Sequence, residues 1–301
     1  MVAASEGWFP EGGILDRLDK SLSRPCFHCV LPAPLEVSLT IPGAWFGCPA
    51  YAIGLVPVLL AASARRQGVG FLSAAGCLAA IGGGAWLKLC YDSCIEGSGL
   101  LRAYQVLSKR SIGMLPHGVM ALASLGCREG SDTAALYLAS WHVAQLLAEV
   151  LKSLAWRVRP AKALEEELES VPRTVRELAS VVKKPAQANL SFPSGDAAGG
   201  AVFCSALVLT TSAHRGLAWG VLALSGVGRI YFHCHHLLDV LAGQALGFGV
   251  TLALSRKGRL GWGDVLLAQL FVFGLWKPVQ KLKPKGSTPQ DLDFNKKTHG
   301  T

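Results

Sequence analysis

Charge is scarce in this sequence. Of its 301 residues, 16% are charged and 51% are hydrophobic, and the mean hydropathy is +0.37. Soluble domains carry about a quarter charged residues, so the shortage excludes an ordinary soluble fold. A cysteine framework is also lacking. Nine cysteines are present, but they are scattered, and Cys48, Cys77, Cys204 and Cys234 lie in or beside apolar runs, where a thiol acts as a small hydrophobe. The lone C-x-x-C of Cys26 and Cys29 lacks the second ligand pair that a zinc site needs, so no metal and no cofactor are expected. Residues 1–40 lack the basic start and apolar centre of a cleavable signal. The first apolar span is therefore expected to direct insertion itself. No internal repeat is apparent.

What the sequence has instead is long apolar runs. A helix needs about 20 mostly apolar residues to cross the hydrocarbon core. Residues 44–64 qualify and stop at Arg65-Arg66; residues 69–87 and 134–151 follow, the last carrying His142, Gln145 and Glu149. Further apolar segments occupy 197–213, 217–231 and 238–254. Segment 112–127 is broken by Pro116 and His117 and reads as a re-entrant or interfacial piece, and 265–276 is too short to assign. The fold expected is an all-α polytopic membrane helix bundle. Its parts are an extramembrane segment 1–43, N-terminal spans and a loop over 44–133, a core 134–255, and a short apolar segment with a basic tail over 256–301. The tail from Lys277 reads as disordered and solvated.

Between the spans, the polar stretch 161–184 reads as a surface helix, a hairpin or a solvated connecting loop. Gly199-Gly200 and the G-x-x-x-G of Gly243 and Gly247 put small residues where helices can approach closely. The net charge of +9 suits basic loops beside anionic headgroups. A nucleic-acid binder would not alternate its charge with long apolar runs, so nucleic acid is not an expected partner.

Three boundary segments are dense in polar groups. The first runs from Lys152 through Arg157 to Arg159 and Pro160; the second is Phe192-Pro193-Ser194-Gly195-Asp196; the third runs from Arg229 through His235 to Asp239. Span parity brings them together. If the third good span exits on one face, the first two segments share that face, and two more crossings return the chain to it at the third segment.

Such a cluster has a definite chemistry. Lys152, Arg159 and Arg229 supply three positive charges, enough to hold a phosphate dianion through charge-assisted hydrogen bonds. Ser194 can donate a hydroxyl, and Gly195 lets a backbone N–H approach an anion at a helix N-terminus. His235 and Asp239 share a face if their segment is helical. A carboxylate on one imidazole nitrogen then leaves the other free to attack phosphorus. The three cations neutralise charge that a metal would otherwise handle. Taken alone, Lys152 and Arg157 read as boundary cations that snorkel to the headgroups. His233 and His236 are assigned no role. Together, ionisable groups buried in membrane segments point to function.

The patterns K-x6-R-P, P-S-G-x and R-x5-H-x3-D, in this order, resemble the three signature motifs of the type 2 phosphatidic acid phosphatase superfamily. That superfamily includes lipid phosphate phosphatases and, on the same helical core, the vanadium haloperoxidases. The resemblance covers roughly 134–254. It implies a six-helix core, metal-independent dephosphorylation of lipid phosphates, and a site on the extracytoplasmic or lumenal face of an endomembrane such as the endoplasmic reticulum. By motif, Lys152, Arg159, Ser194, Gly195 and Arg229 would bind phosphate, His235 would be the nucleophile, and Asp239 its orienting partner. Two positions depart from the pattern. Gly228 stands where serine is common, and Asp196 stands where the second motif ordinarily ends in histidine, the acid for the leaving alkoxide. The general-acid step would then fall to Asp196. The expected function is hydrolysis of a lipid phosphate or diphosphate through a phosphohistidine. The alternative is a pseudophosphatase that keeps the pocket for binding or scaffolding. A transporter fits less well, because the motifs fall at span ends rather than span centres. The expected partners are a phosphorylated lipid substrate and membrane lipids, with homo-oligomerisation left open.

Overall fold

The structure is a computed structural model that describes residues 12–32, 35–36, 39, 128–160, 171, 190–210 and 215–282. The spans expected over 44–64, 69–87 and 112–127, the connecting stretch 161–184 except Val171, and the tail beyond 282 lie outside the described residues. Six helices are described: α1 (Ile14–His28), α2 (Arg128–Ala155), α3 (Gly195–Thr210), α4 (Arg215–Tyr231), α5 (Leu237–Ser255) and α6 (Trp262–Lys281). Apart from the antiparallel bridge between Val158 and Leu190, the regular structure among these residues is α-helical.

Helix α3 lies at the centre and packs against α2, α4 and α5, while α6 packs along α2. Its sequence explains the placement. Ala197, Ala198, Ala201, Val202 and Ala206 are all fully buried, and a helix that is apolar and small all round belongs inside a bundle. Close approach to α5 depends on two glycines. A Cβ at Gly243 would strike the Ser194 carbonyl, and one at Gly247 would strike the Ala198 carbonyl. The G-x-x-x-G spacing is therefore a contact face. Tyr137, Leu138 and Trp141 of α2, Phe203 and Leu207 of α3, Leu222 of α4 and Val265 of α6 close the apolar core around it.

Among the described residues, two helical segments are long and apolar enough to cross a bilayer: Asp132–Ala155, of 24 residues, and Leu237–Ser255, of 19. Gly195–Leu209 and Trp262–Trp276 are apolar but shorter. Large apolar side chains stay on the outside of α5 and α6, among them Leu241, Leu252, Leu267, Leu270 and Phe271. That distribution suits a lipid-facing surface.

Two expectations change. The segment that was too short to assign is part of a 20-residue helix, α6, which continues through Pro278 to Lys281, so the tail is still helical at Lys277. His235 is not helical. It sits in the turn before α5, whose N-cap is His236, and the expected shared helix face with Asp239 gives way to a loop-to-first-turn contact. The extramembrane segment 1–43 contains α1, which lies across the end of the bundle against α4 and α5.

Candidate active site

The three polar segments meet at one end of the bundle, where α2 and α4 finish and α3 and α5 begin. Backbone bonds tie them together. The Ser191 N–H donates to the Arg157 carbonyl at 2.7 Å, and the Ser194 N–H donates to the Asp239 carbonyl at 2.9 Å. After α4 the chain turns sharply: His233 takes a positive φ of 57°, and the N–H groups of Cys234 and His235 both donate to the Arg229 carbonyl. The turn folds His235 back over its own motif arginine. The Ser194 hydroxyl accepts the Ala197 N–H at 3.3 Å, which caps the first turn of α3. Lys152 reaches the same turn from α2. Its Nζ lies 3.7 Å from where a Gly195 Cβ would be and pairs with Glu149 at 2.6 Å.

Arg157 is the centre of the site's charge network. Its guanidinium, 2% exposed, contacts Asp239 at 2.7 Å, Asp19 at 2.6 Å and Asp16 at 3.0 Å. It does not snorkel, contrary to the expectation for a boundary arginine, because three buried carboxylates surround it. Burial acts against its charge, but Asp239 and Asp19 outweigh that and raise its pKa further. Lys152 does not snorkel either, being 11% exposed in its side chain. Asp16, although buried, is held below the usual carboxylate range by Lys20, the Gly12 N–H and Arg157.

The N-terminal helix completes this network. Asp19 accepts the Leu238 N–H at 2.8 Å and Ser23 accepts the Leu237 N–H at 2.9 Å, so α1 caps the open N–H groups of α5. Asp239 takes the His236 N–H at 2.9 Å. His233 Nε2 lies 3.0 Å from the Phe27 carbonyl, and Phe27 meets the rings of His233 and His236 edge-on.

His235 is buried, with Nδ1 3.8 Å from an Asp239 oxygen. The same oxygen lies 3.7 Å from His236 Nδ1. Both distances exceed hydrogen-bond reach. Distance to Asp239 does not separate the two histidines. Arg159 and Arg229 both act on His235. Burial first, and then these two guanidinium groups, pull its pKa down to about 3 against the opposing effect of Asp239. The ring is neutral at ordinary pH.

Arg159 and Arg229 differ in their partners. Arg229 is ion-paired with Asp196 at 2.8 Å. Arg159 donates to the Leu190 carbonyl at 3.3 Å and, among the described residues, has no carboxylate within ion-pair distance. Its pKa is lowered, by burial first and by the like charge of Arg229. Asp19, His236 and Asp239 bring three ligand-type atoms within 4.8 Å of one another. Arg157 already supplies positive charge to both of those carboxylates.

Residues 133–259 match the family model of the PAP2 superfamily. This segment belongs to the PAP2 superfamily. No curated protein and no solved structure matches the chain. Membership suggests a phosphatase-type activity. The PAP2 segment contains every motif position named from the sequence: Lys152, Arg159, Ser194, Gly195, Asp196, Arg229, His235 and Asp239. It does not contain α1, whose Asp16 and Asp19 complete the network. Nothing in the first 40 residues alone marks those two acids, because their partner Arg157 lies over a hundred residues away, 141 from Asp16. Arg157 carried a weak signal, a second arginine inside the first motif.

Proposed function

We propose that this protein is a multi-pass membrane phosphatase that hydrolyses a lipid phosphate or lipid diphosphate, with His235 as nucleophile. The observation that carries the reading is a buried imidazole, His235, whose backbone N–H bonds the Arg229 carbonyl while the Arg229 guanidinium pairs with Asp196 at the N-terminus of α3. Burial and the charges of Arg159 and Arg229 keep that imidazole neutral. Arg159, Arg229 and Lys152 would hold the phosphate oxygens, with the Gly195 N–H and the dipole of α3 adding to them. Asp239, fixed by Arg157, faces Nδ1 and leaves Nε2 for phosphorus. Attack forms an N–P bond as the bond to the leaving oxygen breaks. Water then hydrolyses the phosphohistidine and regenerates the imidazole. An endomembrane location, such as the endoplasmic reticulum, rather than the plasma membrane is part of this proposal.

Asp196 shapes the substrate preference. Its ion pair with Arg229 favours the carboxylate, which cannot donate a proton. When a substrate phosphate takes Arg229, that pairing is lost and the adjacent dianion favours the neutral acid. A monophosphate ester needs the proton for its alkoxide, whereas a diphosphate leaves as a phosphate monoester and needs it less. Diphosphates are therefore the favoured substrates, and acidic pH should help the monophosphates.

The same ion pair favours a second reading, a pseudophosphatase in which Asp196 permanently occupies Arg229. Purified protein assayed against phosphatidate, a sphingoid phosphate and a prenyl diphosphate separates the two. Turnover that survives EDTA, yields to vanadate and disappears in His235→Ala supports the enzyme. Strict dependence on added Mg²⁺ would sink the proposed chemistry. Vanadate binding without turnover on any substrate, in the wild type and in Asp196→His alike, would establish the pseudophosphatase.

A further inference from the structure

Helix α1 turns its polar side inward and leaves an apolar side bare. Asp16, Asp19, Ser23 and Phe27, spaced three or four apart, are buried against the site. Ile14 is 86% exposed, Leu15 65%, Leu18 54% and Leu22 55%. At 100° per residue these four fall within one quadrant or so of the helix, opposite Asp16 and Ser23. The remaining sector holds Arg17, Lys20 and Arg24, all exposed. Three stripes result: acidic inward, apolar outward, basic along the edge between them.

We propose that α1 lies in the plane of the membrane surface, its apolar stripe seated among lipid acyl chains and its basic edge against anionic headgroups. Position supports this occupant. The helix crosses the end of the bundle where α4 stops and α5 starts, which is where membrane-crossing helices leave the hydrocarbon. The lipid-facing side of α5 begins close by at Leu241. Charge supports it as well, since an apolar face bordered by arginine and lysine is the pattern of interfacial helices. Val30 and Leu35, also exposed, prolong the apolar surface beyond the helix. The same helix holds Arg157 and caps α5, so its polar stripe is anchored on the site while its apolar stripe meets lipid.

This inference rests on the membrane-spanning reading, which resistance of the full-length protein to alkaline carbonate extraction tests separately. The test proper uses full-length protein in phosphatidylcholine–phosphatidylglycerol vesicles, with an environment-sensitive fluorescent amino acid at position 18, 22 or 24. Doxyl-labelled lipids should quench positions 18 and 22 several-fold more than position 24, and aqueous iodide should show the reverse order. Omitting phosphatidylglycerol should weaken lipid quenching at position 18. Combining Leu15→Ser with Leu22→Ser should bring position 18 toward the iodide quenching of position 24 while leaving vanadate binding intact. Equal iodide quenching at all three positions would overturn the proposal. So would shielding of position 18 from both quenchers, which would mean that a protein surface covers the stripe.

Discussion

Arg157 and Arg159 stand two residues apart and are used in opposite ways. Arg157 is saturated: three carboxylates surround it, and its charge is spent on structure. Arg159 has only a backbone carbonyl and, among the described residues, no carboxylate partner, so its charge is available. The contrast divides the site into a neutralised side behind Asp239 and an electropositive side facing the start of α3. His235 sits between them. A group under-neutralised by its own protein is one that a dianion can neutralise, whereas a fully paired guanidinium can bind phosphate only by abandoning its partners.

The predictions test that division. The largest effect is expected at the boundary itself. His235→Ala should lower turnover by at least about a thousandfold, or about 4 kcal/mol of barrier, while His233→Ala and His236→Ala retain most activity. Comparable loss at all three would reduce His235 to a packing residue.

On the neutralised side, Arg157→Met should act on stability. It leaves Asp19 and Asp239 buried without a cation and Asp16 with Lys20 alone, a change that costs about 3–5 kcal/mol. Thermal unfolding in detergent should fall accordingly. A variant as stable as wild type would erase the distinction between the two arginines. On the electropositive side, Arg159→Ala should leave the unfolding midpoint nearly unchanged but weaken vanadate inhibition by roughly 10- to 100-fold, the loss of a charged hydrogen bond of about 1.5–3 kcal/mol. If Arg159→Ala unfolds the protein as readily as Arg157→Met, both guanidinium groups are structural.

The pH dependence sharpens the boundary. An unfolded imidazole titrates near 6.5, whereas His235 is held down to about 3 by burial, then by Arg159 and Arg229. The unfolded chain therefore takes up the proton first. The contribution of neutral His235 to stability is complete above about 6.5 and is lost as pH falls toward about 3. Midpoints of wild type and His235→Gln should run parallel above about 6.5, with wild type falling faster between about 6.5 and about 3. Parallel curves throughout would place the imidazole in water.

The smallest expected effect is at Asp196. Asp196→His should raise monophosphate turnover several-fold and change diphosphate turnover little, and Asp196→Asn should lower the monophosphate rate more than the diphosphate rate. An equal response of both substrate classes would show that protonation of the leaving group is not what this residue controls.

Much of the site was legible because each motif is local. Lys152 and Arg159 lie on one stretch of chain, as do Arg229, His235 and Asp239, and parity alone brought the stretches to one end of the bundle. The apolar runs announced α2, α3, α4 and α5 for the same reason, since a run of suitable length is itself the signal. Helix α6 was harder to read because Lys277 and Pro278 interrupt its hydropathy without ending the helix.

The sequence by itself determined the helical class, the close glycine face of α5, and the identity of the phosphate-binding and nucleophilic candidates. Composition and short-range spacing carry that information. Only the tertiary structure decided which cations are already paired. It joined Asp16 and Asp19 to Arg157, bound Asp196 to Arg229, and left Arg159 without a carboxylate among the described residues. It also placed His235 in a turn rather than on a helix. The physical reason is that an ion pair depends on distance in space. Residues 141 positions apart become neighbours only when α1 folds across the end of the bundle.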